Sequence, residues 1–234
     1  MRVGLVCPYS FDTPGGVQAH VLDLAAALRG MGHDTQVLGP ASPRTELPRW
    51  VTPGGPAVPV RYNGSVARIS FGPHVRRTTR QFIEGGAFDV LHVHEPNSPS
   101  YSMAALRMAT GPIVATYHAS AASSYALKLA LPALRGSLEK IRAGIAVSDE
   151  AWRWQAEQVG TDPVIIPNGV DTARFAAARR SNASDAVEVV FLGRLDEPRK
   201  GLDVFLRAVS MLPQRPRVTV VGAGAQRVVE LSLI

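Results

Sequence analysis

A doubly wound parallel α/β sheet, followed by the first βαβ of a second domain, is the fold class this sequence predicts, and three observations carry it. Residues Val3 to Leu28 read as a buried strand, a Pro-Gly-Gly turn and an amphipathic helix. Strand and helix patterns then alternate from Phe88 to Val159, as in a parallel sheet covered on both faces. Past a polar linker, Ala176 to Asp185, a fresh strand, helix and strand run from Val187 to Val221. The domain boundaries expected from this pattern are 1–167 and 168–234.

The elements can be justified in order. Val3, Leu5, Val6 and Cys7 form a short apolar run stopped by Pro8, as expected of a strand buried on both faces. Val17, Val21, Leu24, Ala25 and Leu28 recur on one helical face, and Gly30 to Gly32 ends that helix. Asp34 to Gly39 is a second strand, and Pro40 to Gly64, rich in Pro and Gly, is expected to be mostly loop. Asn63-Gly64 is a turn dipeptide that suits a hairpin. Gly72 to Glu84 sets Val75, Phe82 and Ile83 among Arg76, Arg77 and Arg80, a short basic amphipathic helix. A solvated charged face and a membrane-surface contact both explain it.

Strands are then expected at Phe88 to His94, Pro112 to His118 and Gly144 to Val147. Between them lie helices at Ser98 to Met108 and Tyr125 to Ile141, the latter broken near Pro132. Ser148 or Asp149 caps a helix reaching Val159, and Val164 to Asp171 closes the unit with a strand and a turn. In the second unit, the strands Val187 to Leu192 and Val218 to Val221 flank a helix built on Leu202, Phe205, Leu206, Val209 and Leu212.

Composition narrows the function. With 46% hydrophobic and 19% charged residues the chain can bury a core. One cysteine, Cys7, rules out an internal disulfide framework and fits a reducing compartment; its place in the first strand makes it a structural thiol. No signal peptide is visible and no run reaches the ~18 apolar residues of a membrane span, so a cytoplasmic location is expected. The formal charge of +6 favours anionic partners, and without basic-aromatic interleaving nucleic acid is the weakest of them.

In a doubly wound sheet, ligands sit beyond the carboxyl ends of the strands. Pro8 to Gly16, His94-Glu95-Pro96-Asn97 and Tyr117 to Ser120 all fall at that edge. Gly15-Gly16 before a helix permits close approach of an anion to free N–H donors, although a plain tight turn needs the same residues. Neither a Walker pattern nor G-x-G-x-x-G follows, and Val220 to Gly224 carries only the beginning of a dinucleotide fingerprint. His92, His94, His118 and Glu95 have ligand types suited to zinc, with structural or substrate-contacting histidines as the alternative. Arg194 and Lys200 bracket an acidic-Pro turn from which both cations can reach one diphosphate, or which is simply an exposed charged loop.

Together these pieces resemble the GT-B glycosyltransferases of family 4. The resemblance rests on Pro14-Gly15-Gly16-Val17, His94-Glu95-Pro96, His118, Val147-Ser148, Pro167 to Asp171, and Gly193-Arg194 through Lys200-Gly201. Cys7 to Asp12, Tyr62 to Arg68 and Asp196 to Lys200 resemble the branch that moves mannose from GDP-mannose to phosphatidylinositol. The resemblance implies a complete N-terminal Rossmann-like acceptor domain and the start of a second Rossmann-like domain that binds the nucleotide sugar. It implies retaining, metal-independent transfer without a cofactor, at the inner face of the plasma membrane, by a monomer.

By that resemblance Gly16, Arg194 and Lys200 bind the donor, and His118 contacts the transferred sugar. Tyr9, Gln18, Tyr62, Asn63, Arg68 and Asn97 hold the inositol phosphate, and Arg76, Arg77 and Arg80 rest on anionic lipid. The chain departs from the branch at Ala119 and Ser123, where a threonine and a lysine are usual. Most of the family's second domain has no counterpart, and residues 225–234 do not match its pattern, as expected of a truncated chain. Three alternatives remain: a family 4 transferase with another donor or acceptor, a non-catalytic lipid-surface module, and a zinc hydrolase.

Overall fold

The computed structural model describes residues 1–62, 65–118, 125–176 and 187–222. They divide into two compact units, one comprising Met1–Val60 and Ala67–Gly169, the other Arg61–Val66 and Val170–Ile234.

The first unit is built on a seven-stranded sheet. Its strands are β1 (Arg2–Val6), β2 (Asp34–Gly39), β3 (Val51–Pro53), β6 (Val90–His94), β7 (Ile113–Tyr117), β8 (Ile141–Ala146) and β9 (Val164–Ile165). The order is β3-β2-β1-β6-β7-β8-β9 and every pairing is parallel. The order reverses at β1, which pairs with β2 on one side and β6 on the other, so a crevice opens beyond their carboxyl ends. Helices α1 (Gly16–Gly30), α2 (Pro73–Gly86), α3 (Tyr101–Met108), α4 (Tyr125–Leu138) and α5 (Asp149–Val159) make the connections.

Strand alternation sends neighbouring residues to opposite cores. Leu5 and Val37 pack with Val21 and Ala25 of α1, whereas Val6 and Leu38 pack with Phe82 of α2 and Leu106 of α3. Cys7 is fully buried beside α1, and desolvation pushes its thiol up to about 12, as suits a structural residue. Ser148 caps α5 by accepting the Ala151 N–H at 3.2 Å.

Several expectations need correction. The described residues of 40–64 are mostly loop, as expected, but they also hold two short strands, β3 and β4 (Val58–Tyr62), the latter pairing with β5 (Ser65–Ile69) in a separate two-stranded sheet. β3 lies at the sheet edge, where its terminal Pro53 removes no ladder bond that matters, and only Val51 enters the core. α4 runs through Pro132 instead of breaking there, and it stops at Leu138. Ile141 belongs to β8, which starts three residues earlier than expected because Ile141 packs against the α2 and α3 core. The linker is preceded by α6 (Thr172–Ala176), whose first N–H groups, from Ala173 and Arg174, bond to Asp171 Oδ1.

The second unit carries β10 (Glu188–Leu192) and β11 (Arg217–Val221), paired in parallel, with α7 (Leu202–Ser210) between them in sequence. Phe191 meets Phe205 with ring centroids 5.3 Å apart. A Cβ on Gly222 would lie 1.8 Å from the Gly193 carbonyl oxygen, so this glycine answers a backbone contact between strand ends. That contact accounts for Gly222 within the fragment of a dinucleotide fingerprint.

Candidate active site at the carboxyl edge of the sheet

The loop from β1 to α1 is held on all sides. Cys7 N–H donates to the Leu38 carbonyl at 2.8 Å, Phe11 N–H to Pro40 at 2.9 Å, and Ser10 N–H to Arg68 at 2.9 Å. Gln18 Nε2 reaches back to the carbonyls of Ser10 at 2.9 Å and Thr13 at 3.3 Å. The loop therefore delivers the N-terminus of α1 in one fixed position. Gly15 is the extended N-cap, with no side-chain cap and no acidic residue in the first turn. The first-turn N–H groups of such a helix are free and carry its positive dipole end. A Cβ on Gly16 would meet nothing within 4 Å, so protein packing does not demand glycine there. Unfilled space beside free donors leaves room for an anion.

Across the crevice, the ends of β6 and β7 bring imidazoles together. His94 pairs with Thr116 in register, which puts His118 two residues further along the neighbouring strand. His94 Nδ1 and His118 Nε2 are 3.0 Å apart and hydrogen bonded. His92 lies one pleat below, its ring stacked on His94 at 4.5 Å and its Nε2 bonded to Thr116 Oγ1 at 2.7 Å. The third ring at the crevice is His20, from α1, at 5.6 Å from His94 and 5.0 Å from His118. Burial holds these rings neutral: His118 is pushed down to about 3 and His92 to about 4, His94 lies well below the usual range, and His20 is lowered.

Glu95 has φ +48°, the left-handed region, and its side chain accepts the backbone N–H of His118. Its own N–H donates to the Thr116 carbonyl at 2.8 Å. Glu95 is thus a clamp between the two strand ends, not a member of a metal set. The zinc grouping weighed as an alternative from sequence does not assemble as named: Thr116 occupies the Nε2 of His92, and the histidines clustered among the described residues are His20, His94 and His118.

The remaining expected residues distribute as follows. Asn97 lies in the loop after β6 with its Oδ1 buried and without a hydrogen-bond partner among the described residues. Tyr9 is half-buried, and Arg68 is exposed on β5. Tyr62 ends β4, while Asn63, Ala119 and Ser123 lie outside the described residues. Arg76, Arg77 and Arg80 are exposed on α2, opposite buried Val75, Thr79 and Phe82. In the second unit, Arg194 follows β10 and Lys200 ends a short 3₁₀ turn, Pro198–Lys200. Arg194 pairs at 3.9 Å with Glu197, whose side chain is only 5% exposed, so the loop is more than a solvated charge run. His20 is the residue that sequence reading missed. Its signal was its position one helical turn after Gly16, on the face that also presents the glycine.

A Glycosyltransferase Family 4 domain matches residues 14–174. The chain belongs to glycosyltransferase family 4. Among its relatives, the phosphatidyl-myo-inositol mannosyltransferase of Mycolicibacterium smegmatis is 54% identical over 229 residues, covering 96% of this chain and 59% of the relative. The enzyme of the same name from Mycobacterium tuberculosis is 52% identical over 229 residues, covering 96% of this chain and 61% of the relative. The chain thus spans about 60% of the length of these relatives. In three dimensions it resembles HepE from Anabaena, solved in complex with UDP, with TM-score 0.60 at 16% identity over 96% of this chain and 61% of the other. The fold is that of the GT-B glycosyltransferases, with α/β architecture and a parallel sheet in the first unit.

Proposed function

We propose that this family 4 chain is the acceptor-binding part of a mannosyltransferase that moves mannose from GDP-mannose to phosphatidylinositol with retention of configuration. The observation that carries the reading is the 54% identity, over 96% of the chain, to a phosphatidyl-myo-inositol mannosyltransferase. The open space at Gly16 beside the free donors of α1 supports a role for Gly16 in holding the donor phosphate. Arg194 and Lys200 neutralise the leaving diphosphate, whose charge grows in the transition state, and that growth is what preorganised cations stabilise best. A half-buried His118, held neutral at the strand edge, suits a hydrogen bond to the transferred sugar. Asn97, with its unpartnered Oδ1, together with Tyr9, Gln18, Tyr62, Asn63 and Arg68, holds the inositol phosphate. The exposed Arg76, Arg77 and Arg80 bring the protein to anionic lipid at the cytoplasmic face of the membrane, each basic residue contributing about 1 kcal/mol. Transfer needs no metal and no further cofactor, and the protein acts as a monomer.

A chimera in which the Mycolicibacterium smegmatis relative supplies the portion that this chain does not span tests the acceptor assignment. It should mannosylate phosphatidylinositol, and both Asn97→Ala and His118→Ala should lower turnover at least ~10-fold. Transfer to other acceptors but not to phosphatidylinositol would defeat the reading. The 234-residue chain alone should turn over no GDP-mannose.

A further inference from the structure

We infer that His20, His94 and His118 form a binding site for a divalent transition-metal ion of the zinc class. One candidate ligand nitrogen from each of the three lies within 4.8 Å of the other two. The His94 Nδ1 to His118 Nε2 distance is 3.0 Å. Two ligands of a tetrahedral ion with bonds of 2.0–2.1 Å stand roughly 3.3 Å apart, so this pair opens by only a few tenths of an ångström to admit one. His20 stands at 68° to both other rings, edge-on, and a rotation of its half-buried side chain closes the third side.

The donor set selects the ion. Three imidazoles without a carboxylate suit Zn²⁺, Co²⁺, Ni²⁺ or Cu²⁺, whereas Mg²⁺ and Ca²⁺ require oxygen ligands. Glu95, the nearest carboxylate in sequence, is committed to the His118 N–H. One of the two nitrogens in the His94–His118 hydrogen bond carries the shared proton, and it moves to the other nitrogen of that ring when an ion enters. His20 and His118 are both partly exposed, which gives the ion an entry path and leaves its fourth position to water. The site stands without the transferase reading. Where that reading also holds, an ion and the transferred sugar compete for His118, and the ion acts as an inhibitor of a reaction that does not need it.

Cobalt titration of the 234-residue chain tests the site without any activity measurement. The expected result is one Co²⁺ per chain with the intense visible bands of four-coordinate cobalt, displaced by Zn²⁺, and a thermal midpoint raised by Zn²⁺. His20→Gln, His94→Gln and His118→Gln should each weaken binding more than ~10-fold, and His74→Gln, an exposed histidine on α2, should leave it unchanged. Circular dichroism checks that each variant is folded. His20→Gln decides the matter if the buried His94 variant does not fold, because His20 is not part of the closed core. Cobalt that stays six-coordinate, or His20→Gln binding as tightly as the parent, overturns the inference. Loss of binding in His74→Gln overturns it too.

Discussion

The two units contain parallel strands of similar composition in opposite circumstances. β1 has four consecutive buried residues after Arg2, and its neighbours on both sides are other strands. β10 alternates between exposed and half-buried positions, with Val190 at 58% and Leu192 at 79% exposure on the face away from Phe205. A parallel strand reads as a continuous apolar run because both of its faces are meant to be covered. Val189, Val190, Phe191 and Leu192 form such a run, yet the described residues cover one face only. The same sequence pattern therefore carries stability in the first unit and only half of it in the second.

The sharpest way to break that comparison is truncation of equivalent apolar side chains. Leu5→Ala removes a fully buried residue from the α1 core and should cost ~2–5 kcal/mol. Leu192→Ala, at 79% exposure, should cost less than ~0.5 kcal/mol. Urea unfolding followed by Trp154, which lies in the first unit, measures the former. Hydrogen exchange across β10 and β11 measures the latter, and strong protection of those amides at the level of β1 would show that the outer face is covered after all.

Acid should separate the units next. All six histidines lie at or before residue 118, so imidazole titration acts on the first unit alone. His92 at about 4 and His118 at about 3 sit below the ~6.5 of an unfolded histidine, and in both cases burial is the main cause. Below that value the unfolded chain takes up protons that the folded chain refuses, so stability is complete above pH ~6.5 and falls as the pH drops toward 4. The slope approaches ~1.4 kcal/mol per pH unit for each such histidine. Urea midpoints at pH 7, 6 and 5 check this, and His92→Gln should flatten the curve. A first unit equally stable at pH 7 and pH 5 would remove the buried neutral histidines from the account.

Helix capping gives a smaller contrast. Ser148 caps α5 through its hydroxyl, whereas α7 begins after Gly201 at φ +74° with no side-chain cap. Ser148→Ala should cost ~1 kcal/mol, read from the urea midpoint. The Ser148 cap is also the place where local sequence predicted structure most directly, since a serine before Asp149-Glu150 satisfies and charges the helix start by itself. β2 was equally legible, because Asp34 to Gly39 has flanking turn residues and the apolar pair Val37-Leu38. β3 was not, since only Val51 reaches the core and an edge strand needs no more. Glu95 could not be read either. It precedes Pro96, and that position normally favours extended backbone, so its left-handed φ is imposed by the strand ends that it clamps. His20 joins the site from another element, and spacing along the chain carries no record of that meeting.

The smallest effect on stability is expected on the outer face of β10, where the effect on association should be the larger one. Val190 and Leu192 point to the same side of the strand, two residues apart, and both are exposed. Val221, in register with Leu192 and 46% exposed, extends the apolar surface. A short β-rich strand with exposed apolar side chains is a template for pairing with another chain, so association through it should rise with concentration. Replacing both residues with threonine keeps the β-propensity and removes apolar area that the described residues leave in water. The double variant Val190→Thr, Leu192→Thr should therefore keep its urea midpoint within ~0.5 kcal/mol of the parent. In sedimentation velocity it should remain a single species at concentrations where the parent associates. If instead the double variant loses several kcal/mol, this face is covered in the folded chain, and the contrast between the two sheets would be one of packing partner and not of exposure.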